Sequence, residues 1–343
     1  MDKPLNLGVL GYGHFIRSNF VKHLRRCGAV NIAGVYNRGE ERRRQAAEDG
    51  YWVTGDLDEL LGRADVEAVL VGTANAVHRE HAVAAARAGK HILCEKPLAL
   101  TRRDIDEMVA EAEKAGVITH VNHGGPYTEA FAKVRELATT RCGRIMQVWI
   151  RNSRRFGTWK MGARHFAVGN PEVSGGWTIH HSCHFVNMAC VLVDSAANPA
   201  TRVYHVAQKS CPDAPSEELI TSVIHFANGA TAQISDGTSI GGFGDLGVIG
   251  TDGDVRLLGE AVTLVTHGAP DPDQRPGNLG AVTETFTVPP AGKVLEKVGQ
   301  LFAHAVRTGD TSKLLSFRWV SHEYDILQAM VESARTGQAV DVA

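Results

Sequence analysis

Apolar and polar positions switch between two periods over the first third of the chain. Leu5–Leu10 (LNLGVL) is a short apolar run ending in a glycine turn, and apolar residues then recur at helical spacing over 15–24. Residues 31–36 read as a second buried strand and 40–49 as a charged helix. The run AVLV at Ala68–Val71 is a third strand, and 77–88 (VHREHAVAAARA) a helix closed by Gly89. A fourth strand falls at His91–Cys94 and a fifth at 118–122, and Thr101 with Asp104 forms a helix-opening cap before 105–115. Strand, helix, strand at this spacing predicts a parallel sheet with helices on both faces.

Beyond residue 122 the pattern changes. A helix at 131–138 precedes a strand at 144–151, and a loop-rich stretch of Arg, Gly and aromatics runs to Gly176. The apolar segment 177–193 reads as one long buried helix. Strand-like pieces follow at 201–206, 220–226, 230–235, 247–250, 254–258, 262–267 and 283–288, and helices at 294–307 and 319–336 close the chain. Consecutive strands with short turns predict an antiparallel sheet. The expected organisation is thus an α/β domain at 1–122 and an α+β domain at 123–343, with the last helix able to pack back on the first domain. The Pro-, Gly- and Asp-rich stretch 268–280 is expected to be an exposed loop.

Composition narrows the function. With 343 residues, 43% hydrophobic and 22% charged, the chain is an ordinary globular protein of about two domains. Its 36 Lys+Arg against 38 Asp+Glu give a net charge of −2, no overall field to grip nucleic acid or an anionic membrane. No apolar run is long enough to span a bilayer, and the N-terminus enters a strand without signal-peptide regions. The six cysteines are scattered without a CxxC pair, so reduced thiols and a cytoplasmic location are expected.

The turn after the first strand carries the first chemistry. Gly11-Tyr12-Gly13-His14-Phe15-Ile16 is a GxGxxG pattern whose third glycine is replaced. Two glycines let the backbone turn tightly and approach a pyrophosphate, which then sits on the N-terminus of the following helix. Its place between strand and helix is the context that gives the motif weight. A carboxylate at the end of the second strand would favour NAD; here Asn37 and Arg38 stand instead, followed by Arg42, Arg43 and Arg44. A neutral acceptor beside a guanidinium suits a 2′-phosphate, so NADP is the preferred cofactor and NAD the alternative. The helix arginines can equally form a solvated face.

Residues 89–101, GKHILCEKPLALT, resemble the Glu-Lys-Pro segment of the Gfo/Idh/MocA family of oxidoreductases, relatives of glucose–fructose oxidoreductase and inositol dehydrogenase. Residues 73–78 (TANAVH), Val121-Asn122 and 333–341 (SARTGQAVD) are similar to other segments of that family. The resemblance implies a Rossmann domain joined to an α+β domain with a large, mostly antiparallel open sheet, and substrate lying between the nicotinamide and that sheet. It implies that Thr73, Asn75, His78, Glu95 and Asn122 belong to the cofactor site and that Lys96 bonds both substrate and cofactor. His123, Arg164, Trp177 and His181 are expected beside the substrate, and pairing through the sheet as a homodimer or homotetramer is implied. A lysine at the carboxyl end of a strand also faces the crevice where ligands bind in such sheets. The plain alternative is a surface Lys96 paired with Glu95.

The segment 175–187 (GGWTIHHSCHFVN) aligns with the family's catalytic helix, and His184 falls on its catalytic histidine, a general base or acid. The family's aspartate four residues earlier is replaced by His180. A spacing of four puts both imidazoles on one helix face. His180 then either substitutes for the acid, or shares a divalent metal with His184, or belongs to a packing stripe. Arg151, Arg154, Arg155 and Arg164, among aromatics, fit an anionic substrate group or a solvated loop. The expected reaction moves a hydride between a nicotinamide and a secondary alcohol or ketone of a sugar, cyclitol or ring diol. A redox-neutral enzyme with tightly held dinucleotide is the runner-up, and a sensor without turnover the third reading.

Overall fold

The computed structural model describes residues 3–270, 279–289 and 292–343. The chain divides into two compact units. One holds Met1–Gly124, Glu172–Gly175 and Lys293–His322; the other holds Gly125–Pro171, Gly176–Gly292 and Glu323–Ala343. The expected loop at 268–280 falls mostly outside the described residues.

The first unit is built on a six-stranded sheet. Its strands are β1 (Leu5–Leu10), β2 (Val30–Tyr36), β3 (Val53–Thr54), β4 (Ala68–Val71), β5 (His91–Cys94) and β6 (Thr119–Val121). They run in the order β3-β2-β1-β4-β5-β6, all parallel. The four residues of β4 are buried throughout, as expected of a parallel strand covered on both faces. The order reverses at β1 and β4, the switch point where a doubly wound sheet binds its ligand.

Between the strands lie α1 (Lys22–Arg26), α2 (Glu40–Glu48), α3 (Leu57–Leu61), α4 (His78–Arg87) and α5 (Arg102–Ala115). Thr101 caps α5, its hydroxyl accepting from Asp104 N at 3.1 Å, and Gly116 ends it at φ 65°. A π-helical segment, Ile16–Val21, precedes α1. β3 and α3 are too short to show periodicity. Asp56 nonetheless caps α3 by accepting from the backbone N–H of Asp58 and Glu59.

The second unit carries a nine-stranded sheet. Its strands are β7 (Ile145–Arg154), β8 (Ala200–Gln208), β9 (Leu219–Phe226), β10 (Thr231–Thr238), β11 (Phe243–Gly250), β12 (Gly253–Leu258), β13 (Ala261–Pro270), β14 (Leu279–Thr287) and β15 (Val340–Asp341). Their order is β14-β13-β12-β11-β7-β10-β9-β8-β15; β7 and β10 pair in parallel and the other neighbours antiparallel.

One helix expectation is corrected. Residues 177–193 do not form one helix: α6 (Glu129–Arg141) is followed by the short α7 (Phe166–Gly169) and α8 (Pro171–Ser174), then α9 (Gly176–His180) and α10 (Cys183–Val193). The break lies at His181 and Ser182, whose backbone N–H groups both reach Trp177 O, at 2.9 and 3.2 Å. Both side chains turn to Asp236, so a polar anchor interrupts a segment that is apolar enough to be helical throughout. The remaining helices are α11 (Val294–Thr308) and α12 (Phe317–Thr336).

A buried acid sits where α12 meets α10. Glu323 is 2% exposed and accepts a hydrogen bond from Asn187 Nδ2 at 2.9 Å. Burial pushes its carboxyl up to about 8, and the Asn187 donor offsets only part of this. The native state therefore holds this proton more tightly than the unfolded chain, whose Glu titrates near 4.3. Stability associated with Glu323 is fully present below the unfolded value and is lost as pH rises toward 8. Glu323→Gln should match wild type near pH 4–5 and exceed it at pH 9 by on the order of a few kcal/mol. Thermal unfolding midpoints across that pH range check this; parallel curves for the two proteins would refute it.

Candidate active site

In the first unit the glycine turn closes over the carboxyl end of β1. Gly11 sits at φ 92°, and a Cβ there would lie 2.8 Å from Thr73 Cγ2 and 2.9 Å from Gly72 O, so only glycine makes the turn. Around Gly13, by contrast, a Cβ would meet nothing within 4 Å. That open space above the turn is what a bound pyrophosphate requires. His14 and Phe15 are exposed at the entry to the helical segment, where its first N–H groups face outward.

The missing third glycine has a structural answer. Ile16 is buried, and a Cβ on Gly72 would come within 2.4 Å of its Cδ1. The close contact of helix and sheet is thus kept by placing the glycine on the opposite side, at the end of β4.

Asn37 shapes the same turn: its Oδ1 accepts from Tyr12 N at 3.1 Å. Arg43 is engaged with the carbonyl oxygens of Asn37 and Arg38, at 2.8 and 2.6 Å. Arg44 pairs with Glu41 and Glu48, and Arg42 bonds Gln45. Of the four arginines named from the sequence, Arg38 is the exposed one that these bonds leave beside Asn37.

Around this turn the resemblance-derived residues gather. Thr73 Oγ1 lies 3.0 Å from His81 Nδ1, and Asn75 Nδ2 donates to Ser174 O at 3.0 Å. His78 is wholly buried, with Nδ1 3.0 Å from Pro97 O and Nε2 3.2 Å from Thr73 O. Burial lowers its pKa to about 4, so it is a neutral strut joining the turn at Thr73 to the turn at Pro97.

Glu95 accepts from Asn122 Nδ2 at 2.7 Å, and burial lifts its carboxyl to about 7 against the pull of Lys96 and that donor. Lys96 is half-buried, and its peptide bond to Pro97 is cis. Asn122 Oδ1 is buried without a hydrogen-bond partner among the described residues. Buried acceptors are normally satisfied, and this one is open to a donor from a bound group. Open space at Gly13 and an orphaned acceptor at Asn122 both fit a dinucleotide. His123 is 1% exposed, and burial first, then Lys96 and His120, holds its pKa near 3. It is a neutral imidazole.

In the second unit the turn between α9 and α10 brings rings together. Trp177 has no exposed surface and stacks on His181 at 4.4 Å between centroids. His165 stands edge-on to Trp177 at 5.0 Å, and His184 edge-on to His181 at 5.9 Å. Trp177 thus backs His181. Arg164 is exposed over the face of Trp159 at 5.5 Å.

His180 and His184 belong to different helices, which corrects the picture of two imidazoles on one helix face. His180 packs against His165 and Phe166, each 5.8 Å away. Among the described residues no group of three or more His, Cys, Asp and Glu side chains could hold a metal ion.

The carboxylate of this region comes from the sheet, and sequence reasoning passed over it. Asp236, on β10, is fully buried and 2.8 Å from His181 Nδ1; it accepts from Ser182 Oγ at 2.9 Å and Asn152 Nδ2 at 2.9 Å. A signal was available, because Ala232, Ile234 and Asp236 share the buried face of an alternating strand. Glu217 was missed too. Burial pushes its carboxyl up, but donors from Ser216 and from Thr178 N at 2.7 Å outweigh this and leave it below the usual range. It caps the start of α9, where Gly176 at φ 75° leaves room for it.

Among the described residues no helix is long and apolar enough to cross a membrane. The family model described as "Oxidoreductase family, NAD-binding Rossmann fold" matches residues 5–123, and "Oxidoreductase family, C-terminal alpha/beta domain" matches 140–342. The chain is 30% identical to 1,5-anhydro-D-fructose reductase of Ensifer adhaerens over 231 residues, 67% of this chain and 68% of that protein. It is 28% identical to D-xylose 1-dehydrogenase (NADP(+)) 2 of Haloferax volcanii over 315 residues, 90% of this chain and 91% of that protein. A solved structure of levoglucosan dehydrogenase with NADH and levoglucosan superposes with a TM-score of 0.82, covering 99% of this chain and 100% of that one at 21% identity. Matched along both its units, the chain belongs to the Gfo/Idh/MocA family of NAD-binding oxidoreductases.

Proposed function

We propose that this NAD(P)-dependent oxidoreductase acts on a secondary alcohol or ketone of a sugar, cyclitol or ring diol, with NADP as its preferred cofactor. The observation that carries the reading is the pairing, in one chain, of a dinucleotide turn left open at Gly13 with an imidazole cluster in which His181 is bound to a buried carboxylate. The relatives' names point the same way: one reduces an anhydro-sugar and another oxidises D-xylose.

A bound nicotinamide would supply the hydride acceptor or donor. The chain's own groups would hold the substrate oxygen and move its proton. His184, half-buried at the start of α10, exchanges the hydroxyl proton. Lys96 holds and polarises the oxygen. Six thiols without a disulfide suit a reducing cytoplasm. Tyr204, Val206 and Leu219, 45%, 39% and 44% exposed on β8 and β9, would be covered by a second copy in a homo-oligomer.

The test is nicotinamide absorbance with NADP or NAD and a pooled set of sugars, cyclitols and cyclic diols. Growth of reduced cofactor is expected. A flat trace with nucleotide still bound would favour redox-neutral chemistry instead.

NADP preference rests on the neutral side chain of Asn37 and the exposed Arg38. Arg38→Ala should weaken NADP about tenfold or more while changing NAD little, since one charge-assisted phosphate contact contributes about 1.5–3 kcal/mol. Asn37→Asp keeps the acceptor for Tyr12 N and adds a charge that repels the 2′-phosphate. It should move preference toward NAD. Dissociation constants from cofactor fluorescence decide both, and unchanged ratios in the two variants would remove the basis for NADP.

A further inference from the structure

α9, the turn after it and α10 together contain three histidines, yet no Asp or Glu occurs between Gly176 and Val193. The carboxylate that serves them arrives from β10, more than forty residues later. We propose that Asp236 is a positioning residue: it fixes the tautomer and orientation of His181, so that His181 works beside His184 as part of the proton-exchanging face. This rests on the oxidoreductase reading above and assigns that site a residue outside its helix.

The geometry carries the argument. Asp236 is fully buried, and its two oxygens face three groups: His181 Nδ1, Ser182 Oγ and Asn152 Nδ2. A carboxylate only accepts hydrogen bonds, so His181 places a proton on Nδ1, and in the neutral ring the lone pair is left on Nε2. Ser182 and Asn152 hold the carboxylate from both sides, which limits its rotation. Trp177, stacked at 4.4 Å and tilted by 26°, fixes the plane of the imidazole.

The ring is thus held by β10 through Asp236 and by α9 through Trp177, while β7 through Asn152 and the turn through Ser182 hold the carboxylate. That is far more constraint than a packing histidine needs. The break between α9 and α10 has the same origin, since it is what lets residues 181 and 182 both face β10. His184, edge-on at 5.9 Å, is the neighbour that gains. Its imidazole is held against a ring of fixed tautomer.

Two measurements test this. The first needs no substrate: long-range nitrogen–proton correlation spectra of the protein labelled at histidine nitrogen, with the His181 signals assigned by their loss in His181→Gln. Protonated Nδ1 and bare Nε2 in wild type, lost in Asp236→Asn, are expected; a proton on Nε2 in wild type would overturn the proposal.

The second is a kinetic cycle on whichever substrate the absorbance screen identifies. Asp236→Asn should lower kcat by about ten- to a thousandfold with KM and cofactor affinity nearly unchanged. The double variant with His181→Gln should be no worse than His181→Gln alone, because the two residues act as a unit. Ser182→Ala, which removes one holder of the carboxylate, should lose less than tenfold. Additive losses, or a normal kcat in a folded Asp236→Asn, would reduce Asp236 to a structural group. If no carbinol is oxidised by wild type, the oxidoreductase reading falls, while the spectra still decide the pair.

Discussion

His184→Ala is expected to lose kcat by about 10²–10⁴-fold, the range that general acid–base groups supply. The side chain is half-buried in the first turn of α10, where its backbone N–H already reaches His181 O at 3.1 Å. Removing the ring therefore leaves the turn's hydrogen bonds intact. The dinucleotide turn shares no residue with this segment, so cofactor affinity should stay within a few-fold of wild type. His180→Ala is the informative companion. Its ring packs on His165 and Phe166, while Asp236 is bonded to His181, Ser182 and Asn152, so a loss under about tenfold is expected. Stopped-flow hydride transfer and steady-state kcat for the two variants give the comparison. Equal and large losses would return His180 to the role that the four-residue spacing suggested; full activity in His184→Ala would remove it from the site.

That contrast also shows where the sequence was legible. Buried parallel strands such as β4 are unbroken apolar runs, and each is followed by a helical period, so the first unit could be read almost element by element. The same logic failed at 177–193. Apolar residues continue through the segment, and the break at His181 and Ser182 is caused by a carboxylate on another element. No local pattern contains that information.

Ile16 is a second example. Read alone it marks a looser turn, yet Gly72 restores the close contact from the facing strand. The arginines after Asn37 are a third: three of the four are occupied by carbonyls or by neighbours on α2, which only side-chain geometry can tell. Motifs are local and can be read from the chain, whereas the partners of each motif residue are set by long-range polar contacts.

Lys96→Met should cost about 10²–10³-fold in kcat, the loss seen when one preorganised donor to a developing oxyanion is removed. The variant is a clean one because the segment is held by its neighbours. Glu95 is bonded to Asn122 at 2.7 Å, and Pro97 O faces the His78 ring at 3.0 Å, so the backbone on each side of residue 96 is tied down without the ammonium. Met keeps most of the apolar stem and removes the ammonium, its charge and its three N–H donors together. Glu95 would respond as well: the Lys96 charge, together with the Asn122 donor, pulls its carboxyl down against burial, so without that charge the carboxyl should titrate above about 7. Cofactor affinity at saturating protein, measured by fluorescence, should change little, and thermal stability less. Lys96→Arg should recover part of the rate if charge near the oxygen is what matters. Normal turnover in Lys96→Met, or loss of cofactor binding in place of loss of rate, would show that this lysine serves the nucleotide or the surface and that the substrate oxygen is held elsewhere.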